Sequence, residues 1–232
     1  MNNEFKVGFK DGIPIALGYL SVSFSLGIMA LAGGLSVFDG ALMSLTNLTS
    51  AGQFAGIQII VAGGTLIEMI LTQLIINLRY ALMSLSLSQK LSPDMKLWQR
   101  FVVAFANTDE IFAVAMAHNK SLTFSYMAGL QLLPIVGWVA GTTLGGVAAS
   151  LMPKSVSVAM GVALYGMFIA IVVPVAKRTR SVLTVVVIAI AVSCVLYYVP
   201  FLSFISSGIG IIISTVIAAG VGAYFFPVNP TE

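Results

Sequence analysis

The sequence predicts an all-α polytopic membrane protein with about 7 to 8 apolar helical segments, some of them broken or re-entrant, and a candidate internal repeat. Three observations carry that fold class. Of the 232 residues 59% are hydrophobic and only 8% are charged, whereas a soluble domain carries about 25% charged residues. Mean hydropathy is +1.04. Windows 12–38, 40–67, 121–153, 155–176 and 181–231 hold no charge at all, and about 20 helical residues suffice to cross a bilayer.

In chain order the apolar segments are 13–32, 41–62, 65–87, 101–118, 123–150, 157–176, 181–199 and 203–226. Gly33-Gly34, Gly63-Gly64, Ser92-Pro93-Asp94, Met152-Pro153 and Pro200 punctuate them. The opening residues lack a compact signal-peptide core, so 13–32 reads as a retained helix, and 1–232 as a single integral-membrane domain. The basic clusters are Lys6/Lys10, Lys90/Lys96/Arg100 and Lys177/Arg178/Arg180. The positive-inside rule places all three, and hence the N-terminus, in the cytoplasm. That requires an even number of crossings between clusters, yet three apolar segments lie in each interval. Either one segment per interval fails to cross, with 41–62 and 101–118 the candidates because polar residues interrupt both, or one cluster violates the rule. Pro14, Gly18 and Leu26-Gly27 recur loosely as Pro134, Gly137 and Leu144-Gly145, the candidate repeat.

Polar residues inside apolar segments are expensive and mark a bundle interior, a partner or a water-filled path. Ser50, Ala51, Gly52 and Gln53 either unwind a helix, so that freed N–H groups bind a carboxylate, or simply allow close helix packing. Glu68, Thr72 and Arg79 share a face of the next segment, and Gln73 and Asn77 form a second polar pair on a different face; Glu68 and Arg79 stand about 16 Å apart and cannot pair. Asn107 to Glu110 reads as a helix start inside 101–118, with Asn107 as N-cap and Glu110 completing a capping box. Asp109 or Glu110 then serves the helix dipole, carries a coupling proton or meets an ammonium group. Gly137, Gly141 and Gly145 have small-residue packing spacing, and Trp98, Tyr197 and Tyr198 suit the interface.

Other function classes find little support. His118 and Cys194 are single, which leaves no metal cluster and no intramolecular disulfide. Neither a hydrolase motif nor a Walker loop is present, so the expectation is no catalytic residues, no cofactor and no nucleotide hydrolysis by this chain. The net charge of +3 reflects loop lysines and arginines rather than nucleic-acid binding.

Several motifs, in order and spacing, resemble the AzlC family. They are Gly12-Ile13-Pro14-Ile15-Ala16-Leu17-Gly18-Tyr19, Ser50-Ala51-Gly52-Gln53-Phe54, Asn77-Leu78-Arg79, Asp109-Glu110-Ile111-Phe112-Ala113, and Phe168-Ile169-Ala170 through Pro174. The resemblance spans roughly residues 8 to 180. It implies the large subunit of a two-component exporter in a bacterial inner membrane, carrying valine, leucine, isoleucine and in some members methionine or analogues. It also implies a small hydrophobic AzlD-type partner subunit, alongside membrane lipid. Ser21, Tyr80 and the run Leu48 to Gly52 depart from the common family pattern and bear on substrate identity. On this reading Ser50, Ala51, Gly52, Gln53, Asn77 and Arg79 bind substrate, and Asp109, Glu110 and Glu68 bind the ammonium group or a coupling proton. The competing reading is a channel-like or regulatory membrane subunit for another small solute.

Overall fold

A computed structural model describes residues 3–153, 169, 172–202 and 204–227. All regular structure among them is helical: α1 (Asn3–Ala32), α2 (Val37–Thr46), α3 (Ala51–Val61), α4 (Leu66–Lys90), α5 (Leu97–Phe105), α6 (Asp109–Ala117), α7 (Phe124–Leu151), α8 (Arg180–Tyr198) and α9 (Ser207–Phe225). Residues 172–178 are also helical. Most of the segment predicted at 157–176, with Phe168 and Ala170 of the motif, lies outside the described residues. Five helices, α1, α4, α7, α8 and α9, are long and apolar enough to cross a membrane among the described residues, so the chain is a multi-pass membrane protein. Two compact units divide it: Met1–Phe54 with Asn77–Val162, and Ala55–Ile76 with Ala163–Glu232.

In the first unit α1 and α7 lie side by side and run parallel. Gly8 meets the backbone at Tyr126 and Gly12 that at Leu130, pairs 118 positions apart; Gly137 meets Ala16, Gly141 Leu20 and Gly145 Phe24, pairs 121 apart. A Cβ on Gly12 would stand 2.6 Å from the Leu130 carbonyl oxygen and one on Gly137 2.7 Å from that of Ala16, so no side chain fits. Small residues are what let helix backbones approach this closely in a bilayer. The separations match the spacing of the two proline-bearing stretches, and Pro14 and Pro134 both sit within their helices. The helix α1 starts ten residues before the predicted segment, because Gly8 and Gly12 extend the same packed face beyond the apolar run.

Neither 41–62 nor 101–118 forms one helix. A capping box at Ser36 starts α2, which ends after 10 residues where Asn47 turns extended. Ser50, in the left-handed region at φ 48°, begins the next helix. The unwound stretch is therefore 47–50, a few residues earlier than the sequence suggested, and Ala51, Gly52 and Gln53 form the first turn of α3. Likewise α5 and α6 have 9 residues each, about 14 Å, which carries a half-helix to roughly the middle of a hydrocarbon core about 30 Å thick.

The α5–α6 pair is a re-entrant hairpin. At its start Trp98 packs edge-on to Phe124, with ring centroids 5.2 Å apart. At its finish His118 stacks on Tyr126 at 4.1 Å. Both residues lie in the first turn of α7. Between them the hairpin climbs along α7 until Gln131 Nε2 donates to the Val103 carbonyl at 2.7 Å. Residues 77–90 of α4 run antiparallel to α7, so that Leu122 N–H donates to the Lys90 carbonyl, 2.9 Å, beside the start of α7. The Thr123 hydroxyl, in turn, donates to Glu4 of α1. The first two basic clusters thus share one end of the unit, as an even number of crossings between them requires. Two crossings, α1 and α4, satisfy that count; α2 and α3, with 10 and 11 residues, are each too short to cross.

In the second unit α8 and α9 pack together, with Ser193 Oγ donating to Ser214 Oγ at 3.0 Å. Tyr197 and Tyr198, at the end of α8, are strongly exposed. Cys194 is a free, exposed thiol.

Candidate functional site

Both helix breaks of the first unit close on the α1–α7 pair, one from each end. From the C-terminal end, Val37 lies against Gly146 and Gly40 against Thr142, and α2 descends from there. Past the break, Gln53 meets Trp138 at the first turn of α3. A closed ring of hydrogen bonds fixes it. Trp138 Nε1–H donates to Gln53 Oε1 at 2.8 Å, and Gln53 Nε2 donates to Ser44 Oγ at 3.2 Å. Ser44 and Thr142 hydroxyls are 2.7 Å apart, and Thr142 Oγ1 donates to the Trp138 carbonyl at 3.0 Å. Since the Thr142 proton is used on that carbonyl, Ser44 is the donor to Thr142. With Gln53 1% and Trp138 2% exposed, each bond is made in a dry environment where leaving it unmade is costly.

From the other end, the α5–α6 break brings Thr108 and Glu110 to Tyr19 of α1. Tyr19 Oη lies 2.5 Å from both Thr108 Oγ1 and Glu110 Oε2. A phenol has one proton, so it donates to the carboxylate and accepts from the threonine. Tyr19 also packs edge-on to Trp138, with centroids 5.2 Å apart and planes at 75°. One aromatic pair therefore stands between the two breaks.

The N-cap of α6 is Thr108, without a side-chain capping bond. This corrects the capping box expected from Asn107 and Glu110. Asn107 instead donates through Nδ2 to Ser84 Oγ at 3.1 Å, and Glu110 is bound by Tyr19. Tertiary partners have displaced the local pattern.

Beside this tip Arg79 and Asp109 form an ion pair whose side chains are 43% and 45% exposed. Arg79 also reaches the Tyr80 hydroxyl at 3.3 Å, with its guanidinium carbon 4.9 Å from the centre of that ring. It is the only ion pair among the described residues. Arg79, Asp109 and Glu110 together carry a net charge of −1, and Glu110 has a hydroxyl rather than a cation for a partner. Charges half exposed on a membrane helix need water or protein around them, since lipid cannot solvate them. Asn77 is half-buried on α4, two residues before Arg79 and so about half a turn round the helix from it.

Glu68 belongs to the second unit. Only 7% exposed, it accepts from Ser206 Oγ at 2.7 Å and from the Gly208 N–H at 2.8 Å, at the start of α9. The positive end of a helix dipole takes the place of a basic partner there. Among the described residues no group of three or more His, Cys, Asp and Glu side chains converges to hold a metal ion.

Sequence reasoning singled out Gln53, Arg79, Asp109 and Glu110 but not Trp138, Ser44, Thr142 or Ser206. A usable signal existed for Trp138. An indole in the middle of a long apolar helix, far from either interface, needs a partner for its N–H.

The model of the family described as AzlC protein matches residues 14–152, a stretch that includes both breaks and their polar partners in the first unit. An uncharacterized membrane protein of Archaeoglobus fulgidus is 31% identical over 172 residues, 73% of this chain and 75% of that protein. Inner membrane protein YgaZ of Escherichia coli is 28% identical over 184 residues, 76% of this chain and 75% of that protein. A membrane protein of Helicobacter pylori, also uncharacterized, is 27% identical over 155 residues, 64% of this chain and 67% of that one. No solved structure shows significant similarity. Two helix breaks facing a close-packed parallel pair, with charges at both the tip and the neighbouring span, are thus features of a chain that belongs to the AzlC family.

Proposed function

We propose that the protein is an inner-membrane exporter subunit for branched-chain amino acids, driven by the proton motive force and working with a small hydrophobic AzlD-type subunit, its N-terminus cytoplasmic. Family membership and the membrane-protein relatives support a transporter-type role. The observation that carries the finer reading is the half-exposed Arg79–Asp109 pair next to Glu110. A zwitterion leaving water needs one cationic and one anionic partner, or equivalent dipoles. Arg79 takes the α-carboxylate in exchange for Asp109, and Asn77, half a turn round the same helix, is a further substrate-binding candidate. The carboxylates of Asp109 and Glu110 take the ammonium group or the coupling proton. Backbone N–H groups of Ser50, Ala51, Gly52 and Gln53, at the dipole-positive start of α3, supply a second locus for the carboxylate. Glu68 is a second candidate for the coupling proton, in the other unit.

The test is efflux of preloaded radiolabelled valine from cells expressing the chain, with and without a co-expressed AzlD-type subunit. Saturable efflux that falls at least about tenfold in Arg79→Gln and in Asp109→Asn, the loss that about 1.4 kcal/mol represents, is the expected result. Efflux equal to that of empty-vector cells, with both chains present in the membrane, would overturn branched-chain export. Unsaturable efflux indifferent to both substitutions would favour a channel-like subunit instead.

A further inference from the structure

The side chains that join the two helix breaks form an unbroken path. Glu110 Oε2 meets Tyr19 Oη, the Tyr19 ring meets the Trp138 indole, and Trp138 Nε1 meets Gln53 Oε1. Gln53 stands three residues after Ser50, whose left-handed φ of 48° is a costly conformation for a residue with a Cβ. We infer that Tyr19, Trp138 and Gln53 are positioning residues that tie the protonation state of Glu110 to the geometry of the turn at residues 47–50. The transport reading is needed only for the second of the two readouts below.

When Glu110 is ionised, the Tyr19 proton lies on its carboxylate and Thr108 donates to Tyr19. A proton taken from water forms an O–H bond on Glu110, which now donates to Tyr19 Oη. Tyr19 then turns its own proton to Thr108 Oγ1, and the threonine hydroxyl turns its proton away. The phenol has exchanged acceptor for donor on one side and donor for acceptor on the other. Tyr19 is 7% exposed and Trp138 2%, so neither ring has free space to absorb a shift alone. Packed elements of this kind pass small displacements on as a change between discrete arrangements. The Trp138 N–H is fixed on Gln53, and its displacement therefore reaches the first turn of α3. The titratable groups facing Glu110 are Tyr19 of α1, Arg79 and Tyr80 of α4, and Asp109 of α6 itself. The helix α7 carries no charged side chain.

Trp138 supplies its own reporter. The chain has two tryptophans, so Trp98→Phe, a change at an exposed residue, leaves Trp138 as the single indole. Emission of the purified full-length Trp98→Phe protein in detergent micelles is recorded against pH. The expected result is a single-proton sigmoid that is lost in Glu110→Gln, reduced in Tyr19→Phe and retained in Asp94→Asn. Glu110→Ala replaces Glu110→Gln should the latter elute as aggregate. Emission that does not change with pH, or a sigmoid unaltered when Glu110 is replaced, would overturn the relay. The second readout is the pH profile of valine efflux in Trp138→Phe, which keeps an aromatic ring but has no N–H. A relay displaces the profile along the pH axis, whereas a purely structural role lowers it equally at every pH and would also count against the relay. If even the unmodified chain exports no valine, the transport reading fails while the fluorescence result stands by itself.

Discussion

Gln53→Leu and Trp138→Phe, singly and together, probe the hydrogen-bond ring that holds the first helix break. Leucine occupies most of the glutamine volume, so the loss is chiefly of hydrogen bonds rather than of packing. It leaves the Trp138 N–H buried and unpaired, and Ser44 Oγ without its donor. With Trp138 at 2% and Ser44 at 0% exposure neither group can turn to water, and an unpaired buried donor costs about 1 to 3 kcal/mol. For a chain of this size each kcal/mol moves the midpoint of thermal unfolding by about 2 to 4 °C, so a loss of about 2 kcal/mol appears as about 4 to 8 °C. Trp138→Phe leaves Gln53 Oε1 without its donor and a gap where the larger ring stood, for a similar loss. In the double variant the penalty of the orphaned partner is absent. Its destabilisation should fall short of the sum of the two by about 1 to 2 kcal/mol, the coupling expected of residues in direct contact. The assay is thermal unfolding in one detergent, followed by circular dichroism for all four proteins. Additivity to within about 0.5 kcal/mol would refute the ring as a cooperative element.

Other consequences follow from the packing and the topology. Gly12→Val should destabilise by about 1 to 3 kcal/mol or prevent accumulation in the membrane, because its Cβ would stand 2.6 Å from the Leu130 carbonyl oxygen. Gly18→Ala has nothing within 4 Å and should be neutral or gain about 0.5 to 1 kcal/mol, both changes being read by thermal unfolding. Glu68→Ala should cost about 1 to 3 kcal/mol by leaving the Ser206 hydroxyl and the Gly208 N–H unpaired, with faster hydrogen exchange at the start of α9; unchanged exchange there would contradict the cap. In a Cys194→Ala background, single cysteines at Lys6 and Lys96 should react with a membrane-impermeant reagent from the same side of sealed vesicles. Reaction from opposite sides would rule out the path between them in which α1 and α4 cross and α2 and α3 do not.

The breaks were legible because backbone polarity and side-chain polarity coincide at them. Thr46 to Gln53 and Asn107 to Glu110 place hydrogen-bonding groups where an apolar helix has no use for them, and the parity of the basic clusters pointed to the same places. What fills those breaks was not legible. Asn107 and Glu110 match a local capping pattern, but Ser84 lies 23 positions away from the one and Tyr19 lies 91 from the other, and these partners prevail. The Arg79–Asp109 pair spans 30 positions and crosses from one helix to another, so periodicity within a single helix had nothing to say about it. Helix α1 extends beyond its apolar run for a related reason. Its first turns carry charge at Glu4, Lys6, Lys10 and Asp11, and only the backbone of α7 explains why they remain helical.

The register of α1 against α7 also has a meaning in time. The glycine face of α1 is finished early in synthesis, but the residues that cover it come 118 or more positions later. At about 5 to 20 residues per second, α1 waits on the order of ten seconds for its neighbour. During that interval the half-helices α2, α5 and α6 are made with no wall to lean on, and none is long enough to hold its place in lipid alone. Arrival of α7 is the event that lets them settle, which makes a nascent chain arrested before residue 124 a natural target for membrane proteases and the completed one a poor target.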